Sequence, residues 1–99
     1  YIGYQAAMNS VSANSNTIIG HKAGTENTTG FYNTIIGYAA GLGNTTGAYN
    51  TFLGMSAGQG TSTGSYNTFV GMNAGLNNNG DYNIFIGLNA GWNSINRTG

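Results

Sequence analysis

Cysteine and proline are both absent from this 99-residue chain. Without cysteine there are neither disulfides nor thiolate metal sites, and the redox compartment is left open. Without proline, the 18 glycines cannot belong to a collagen-like triple helix, which needs glycine at every third position and abundant proline. Charge is scarce as well. Lys22, Glu26, Asp81 and Arg97 make up 4% of the chain with zero net charge, against roughly 25% charged residues in an average soluble domain. There is no basic patch to attract nucleic acid or an anionic membrane surface. No apolar run approaches the roughly 20 residues of a membrane-spanning helix. Polarity comes from Asn, Thr, Ser and Gly, and a lone chain with so little charge is prone to associate.

What the chain does contain is one short phrase, repeated. Asn33-Thr34-Ile35-Ile36-Gly37 returns as Asn16-Thr17-Ile18-Ile19-Gly20, Asn50-Thr51-Phe52-Leu53-Gly54, Asn67-Thr68-Phe69-Val70-Gly71 and Asn83-Ile84-Phe85-Ile86-Gly87. Tyr1-Ile2-Gly3 is the tail of a further copy. The closing glycines, at 3, 20, 37, 54, 71 and 87, are spaced by 17 residues four times and then by 16. A fixed period of this length is the signature of a stacked repeat protein. The coils fall at approximately 1–15, 16–32, 33–49, 50–66, 67–82 and 83–99, a single array expected to be a segment of a longer fibre.

A helical reading fails, because each glycine in a helix interior would cost roughly 1 kcal/mol relative to alanine. The β-branched and aromatic residues at the apolar positions favour a pleated strand, and short apolar runs bounded by glycine suit strands better than helices. The chain is therefore expected to be all-β: a parallel β-solenoid, or β-roll, with one coil per repeat. Each coil should hold a strand of about five residues, a glycine corner, a shorter extended piece through Ala-Gly, and a polar turn closing on Gly and Tyr. Coils stacked at the ordinary strand spacing would form a rod of roughly 25–30 Å.

In-register stacking turns recurring residues into ladders. Asn16, Asn33, Asn50, Asn67 and Asn83 are expected to form one, with their amides bonding up and down the stack, and Tyr32, Tyr49, Tyr66 and Tyr82 an aromatic one beside it. The alanine rank (Ala23, Ala40, Ala57, Ala74, Ala90) marks a close approach of two backbone segments. Side chains alternate faces along a strand, yet both residues before the closing glycine are large and apolar: Ile18/Ile19, Ile35/Ile36, Phe52/Leu53, Phe69/Val70 and Phe85/Ile86. One of each pair should fill the coil. The other should point outward as an apolar stripe that needs a partner, the simplest being another copy. The alternative is a flattened coil that buries both.

At these residues the chain resembles the head repeats of trimeric autotransporter adhesins of the YadA type, and related repeats in phage tail fibres. The match lies in Asn-Thr-Ile-Ile-Gly followed by Ala-Gly, recurring through nearly the whole chain. The resemblance implies a left-handed parallel β-roll of three chains, extracellular or virion-borne, serving adhesion as stalk or head. The family's repeats have a small residue in the core motif where this chain has Ile18, Ile35, Phe52, Phe69 and Phe85.

Chemistry for catalysis is missing. Glu26 and Asp81 stand 55 positions apart, about three coils and so roughly 15 Å, beyond the 5–10 Å of a glycosidase pair. His21, the one histidine, occupies the post-glycine position held elsewhere by Tyr4, Tyr38, Met55, Met72 and Leu88, which reads as packing or surface. One aspartate excludes a calcium-binding roll, and no Gly-Lys-Ser/Thr completes a phosphate loop. No enzyme activity, cofactor or metal is expected. The leading expectation is shaft or head repeats of an extracellular adhesive fibre, a homo-oligomer and most simply a trimer, with a surface glycan or host receptor as a further partner and no nucleic acid or membrane. Tyr4, Tyr38 and Trp92 are candidates for sugar contacts. An alternative is an end-to-end self-assembling filament, and a minor one is an ice-binding solenoid presenting Thr17, Thr34, Thr51 and Thr68. Asn27-Thr28-Thr29, Asn44-Thr45-Thr46 and Asn96-Arg97-Thr98 match the N-glycosylation acceptor pattern, as a chain so rich in Asn and Thr does by chance.

Overall fold

A computed structural model describes residues 1–95 and 98–99. The fold is an all-β parallel solenoid. Its strands are β1 (Thr17–Ile19), β2 (Thr34–Ile36), β3 (Thr51–Leu53), β4 (Thr68–Val70) and β5 (Ile84–Ile86). They pair in sequence order as a single parallel sheet, and Ile2 continues it as a parallel bridge to Ile19. Register is repeat on repeat: Thr34 lies between Thr17 and Thr51, and Ile35 between Ile18 and Phe52. The solenoid measures 28 × 20 × 16 Å.

The strands are three residues long, shorter than the five-residue phrase. Both flanking residues leave the pleat. Asn33 turns its side chain into the coil, and Gly37 takes φ +136°. Bonding between coils nevertheless continues past the strand. The Thr34 amide donates to the Asn50 carbonyl at 2.8 Å, and the Gly37 amide donates to the Ile19 carbonyl at 2.8 Å.

The Ala-Gly piece is not extended. It is a run of overlapping tight turns, in which the Ala40 amide donates to the Gly37 carbonyl at 3.2 Å, Leu42 to Ala39 at 3.3 Å and Asn44 to Gly41 at 3.0 Å. The third residues of the first two turns, Ala39 and Gly41, both have φ +54°, the positive φ such turns demand at that place. Non-glycine residues hold the first of these positions in every coil: Lys22, Ala39, Ser56, Asn73 and Asn89 lie between +54° and +61°. A 17-residue circuit must reverse direction within a few residues, and that requirement overrides the usual preference for glycine.

The core follows from strand parity. Ile18, Ile35, Phe52 and Phe69 point inward and are at most 1% exposed, packed against the buried rank Ala23, Ala40, Ala57 and Ala74. Alanine is what the narrow interior admits opposite a large side chain. The rings of Phe52, Phe69 and Phe85 stack in line at 5.2 Å.

The 16-residue repeat keeps this register by local repair. The missing residue falls in the turn before Gly80, where Asn78 Oδ1 accepts from the Gly80 amide at 2.6 Å, an Asx turn that closes the chain two residues on. Asn79 Oδ1 accepts from the Ser62 amide at 2.5 Å. In the coil below, the Thr45 amide finds a backbone carbonyl at that place, that of Ser62, at 2.8 Å.

Candidate functional site

The second member of each apolar pair faces outward. Ile19, Leu53 and Val70 are half-buried, and Ile36 and Ile86 are exposed, so the flattened coil with both residues inside is excluded. Sheet register aligns Ile19, Ile36, Leu53, Val70 and Ile86 in one rank. Beside it runs the post-glycine rank, with Tyr4, His21, Tyr38, Met55, Met72 and Leu88 all exposed. Within that rank the His21 ring lies edge-on between Tyr4, at 5.2 Å and 85°, and Tyr38, at 5.4 Å and 79°. On the other side of the aliphatic rank stand Thr17, Thr34, Thr51 and Thr68, interrupted by Ile84 in the same register. The strand face thus presents one hydroxyl rank and two mainly apolar ranks, and none of these residues is Lys, Arg, Asp or Glu.

Around the corner from the threonines, Tyr32, Tyr49, Tyr66 and Tyr82 each adopt a positive φ of 55–61°. The turn swings their side chains outward while the next residue, an asparagine, swings in. Successive rings stack at 5.3, 4.9 and 5.0 Å with interplanar angles of 22°, 3° and 7°. Phe31 packs edge-on against Tyr32 and Tyr49. The ring faces cover one another, so edges and phenol hydroxyls are what the ladder shows to solvent.

The asparagine rank is internal, and from Asn16 to Asn67 it bonds to backbone rather than amide to amide, while Asn83 Nδ2 donates to Asn78 Oδ1 at 3.4 Å. Asn33 Oδ1 accepts from the Asn50 amide at 2.9 Å, and Asn33 Nδ2 donates to the Gly47 carbonyl at 2.8 Å. Asn50 repeats this with the Asn67 amide and the Gly64 carbonyl, and Asn67 with the Asn83 amide and the Gly80 carbonyl. Asn16 begins the rank on the Asn33 amide and the Gly30 carbonyl. From Asn16 to Asn67, each side chain closes its own coil on a carbonyl 13 or 14 residues on and ties that coil to the backbone amide of the next asparagine.

A second internal polar rank escapes the sequence reading. Asn27, Asn44, Thr61 and Asn78 are fully buried. Their spacing of 17 was the available signal, obscured by threonine standing where asparagine would recur. Asn44 Nδ2 donates to Asn27 Oδ1 at 3.2 Å and to the Gly47 carbonyl at 3.2 Å. This burial removes the acceptor patterns at Asn27 and Asn44 from the surface, since their amides are committed inside the coil. Asn96 and Arg97 of the third lie outside the described residues.

Thr61 leaves a gap in that rank. Asn44 Oδ1 is buried without a hydrogen-bond partner, at the point where an asparagine at 61 would supply a donor. Thr61→Asn is nearly volume-conserving and should stabilise the rod by about 1 kcal/mol, the net value of one satisfied hydrogen bond. The expected rise in thermal midpoint, followed by circular dichroism, is about 4–8 °C.

Among the described residues there is no group of three or more His, Cys, Asp and Glu side chains able to hold a metal, and no pocket was found. Asp81 is tied to the preceding coil, its Oδ1 accepting from the Ser65 amide at 2.8 Å. No helix among these residues is long and apolar enough to cross a membrane. The surface to be explained is therefore a set of outward ranks. Comparison of the chain with protein-family models, with curated proteins and with solved structures found no match.

Proposed function

We infer that the chain is a structural repeat array, the shaft or head of an extracellular adhesive fibre on a bacterial surface or a virion, in which the outward strand face is covered by further copies of itself. The observation that carries this reading is the unbroken rank Ile19, Ile36, Leu53, Val70 and Ile86 on the outside of an in-register solenoid. An exposed apolar stripe of this kind marks an interaction surface. A second rod of the same period fits it coil for coil, and the face has no charge to oppose self-association. A closed ring of three, in which each chain meets two neighbours, covers more of these outward ranks than a single pairing does. Receptor or glycan contacts would fall on the ranks left outside, and the chain itself would act by scaffolding rather than by catalysis.

Sedimentation of the soluble array tests the reading: a defined oligomer is expected, and a monodisperse monomer overturns it. Leu53→Asp gives the sharper version. An unpaired charge in an apolar contact should weaken association by on the order of a hundredfold or more, while the β-sheet circular dichroism persists because Leu53 lies outside the coil. Electron microscopy separates fixed-length fibres from indefinite end-to-end filaments.

A further inference from the structure

We propose that the tyrosine ladder is a site of oxidative cross-linking, at which a peroxidase with hydrogen peroxide joins neighbouring coils through dityrosine bonds. Three observations place the chemistry here. Tyr32, Tyr49, Tyr66 and Tyr82 are 44–62% exposed, so an external oxidant reaches them. Their rings are held 4.9–5.3 Å apart, and the Tyr49, Tyr66 and Tyr82 planes are within 7° of parallel. The chain has no cysteine to intercept the oxidation.

The step balances as follows. Two phenols each lose one electron and one proton to the oxidised peroxidase, and the peroxide is reduced to two waters. The two phenoxyl radicals pair their electrons in a new Cε–Cε bond. The hydrogens displaced at those carbons move to the oxygens, restoring both phenols. The product is lighter by two hydrogens per bond. Holding the reactants as neighbours makes the coupling effectively unimolecular, which gives such pairs a large advantage over random encounter. Each bond joins positions 16 or 17 apart in sequence and so staples one coil to the next. Unlike the proposed oligomer, this reading needs only the single-chain fold.

The chain supplies its own control. Tyr4 and Tyr38 are separated by His21, which contacts both rings, so neither has a tyrosine neighbour in its rank. Treatment of the whole chain with horseradish peroxidase and limiting peroxide should give dityrosine fluorescence. Peptide mapping should find Tyr49–Tyr66 and Tyr66–Tyr82 links and leave Tyr4 and Tyr38 unjoined. In a mixture of isotopically light and heavy protein, the links should fall within one isotope. Methionine sulfoxide at the exposed Met8, Met55 and Met72 adds oxygen and is distinguished by mass. Tyr66→Phe keeps an aromatic ring in the stack but removes two of the three neighbouring pairs, so the yield should fall by more than half. Tyr49→Phe with Tyr66→Phe should abolish it. The proposal is overturned if the links scatter over Tyr4 and Tyr38, if they join light to heavy chains at the statistical ratio, or if the Tyr66→Phe yield equals that of the parent.

Discussion

Alanine at position 54 is expected to break the stack. Gly54 closes strand β3 with φ +131°, and a Cβ there would lie 2.7 Å from the carbonyl oxygen of Gly71 and 2.8 Å from its carbon. Those are backbone atoms of the next coil, and they cannot retreat freely. The Gly71 amide is bonded to the Leu53 carbonyl at 2.8 Å, so any shift that relieves the clash also opens the inter-coil ladder. An L residue held at such a φ costs about 1–3 kcal/mol, and overpacking adds about 1–3 kcal/mol. The sum is a large share of the 5–15 kcal/mol that stabilises a typical domain. In a stacked array, where each repeat depends on its neighbours, the loss propagates to both sides. Urea unfolding followed by circular dichroism should show Gly54→Ala with a sharply lowered midpoint or no transition at all. Gly87→Ala is the matched control. Gly87 has φ +124° but nothing within 4 Å of the added carbon, so only the conformational part should appear. Equal effects at the two sites would refute the steric account.

The second large effect is expected at Asn50. Its side chain is 1% exposed. Its Oδ1 accepts from the Asn67 amide at 2.9 Å, and its Nδ2 donates to the Gly64 carbonyl at 2.8 Å. Asn50→Ala leaves a buried donor and a buried acceptor unmet at once. At about 1–3 kcal/mol for each such group, the loss is about 2–6 kcal/mol. Asn50→Asp discriminates between acceptor and donor. It keeps an acceptor for Asn67 but loses the donor and turns a carboxylate oxygen toward the Gly64 carbonyl, a buried charge with no partner. It should therefore be no less damaging than alanine at neutral pH. Amide hydrogen exchange reads the local effect directly. The Asn67 amide should lose protection in Asn50→Ala, ahead of the Phe52 and Phe69 amides of the core strands. If Asn67 stays as protected as in the parent, the bond is not a source of stability.

These two positions share a cause. A solenoid coil has almost no interior, so every inward residue meets both its own coil and the next. Gly54 meets a backbone, Asn50 a peptide amide and a carbonyl, and Phe52 another ring. Interior substitutions therefore act on the contact between coils. Substitutions on the outward ranks, Leu53 or Tyr66, act on what the rod can join.

The repeat alone was enough to determine the parallel stack, the strand positions and the membership of the asparagine and tyrosine ranks. In-register stacking converts identity at a fixed spacing into adjacency in space, so Asn33 above Asn16 and Tyr66 above Tyr49 can be read without coordinates. Three matters needed the tertiary structure. Parity was the first: alternation says that Phe52 and Leu53 face opposite ways but not which is inside, and only the direction in which the chain closes its circuit assigns Phe52 to the core. The path after the glycine was the second, because tight closure forces Ala39 and Ser56 into positive φ that their residue types do not announce. The third was the buried rank of Asn27 and Asn44, which look like surface turn residues until the coil folds over them. In each case the deciding quantity is the curvature of the chain, a property of the whole coil that no local pattern of residue types encodes.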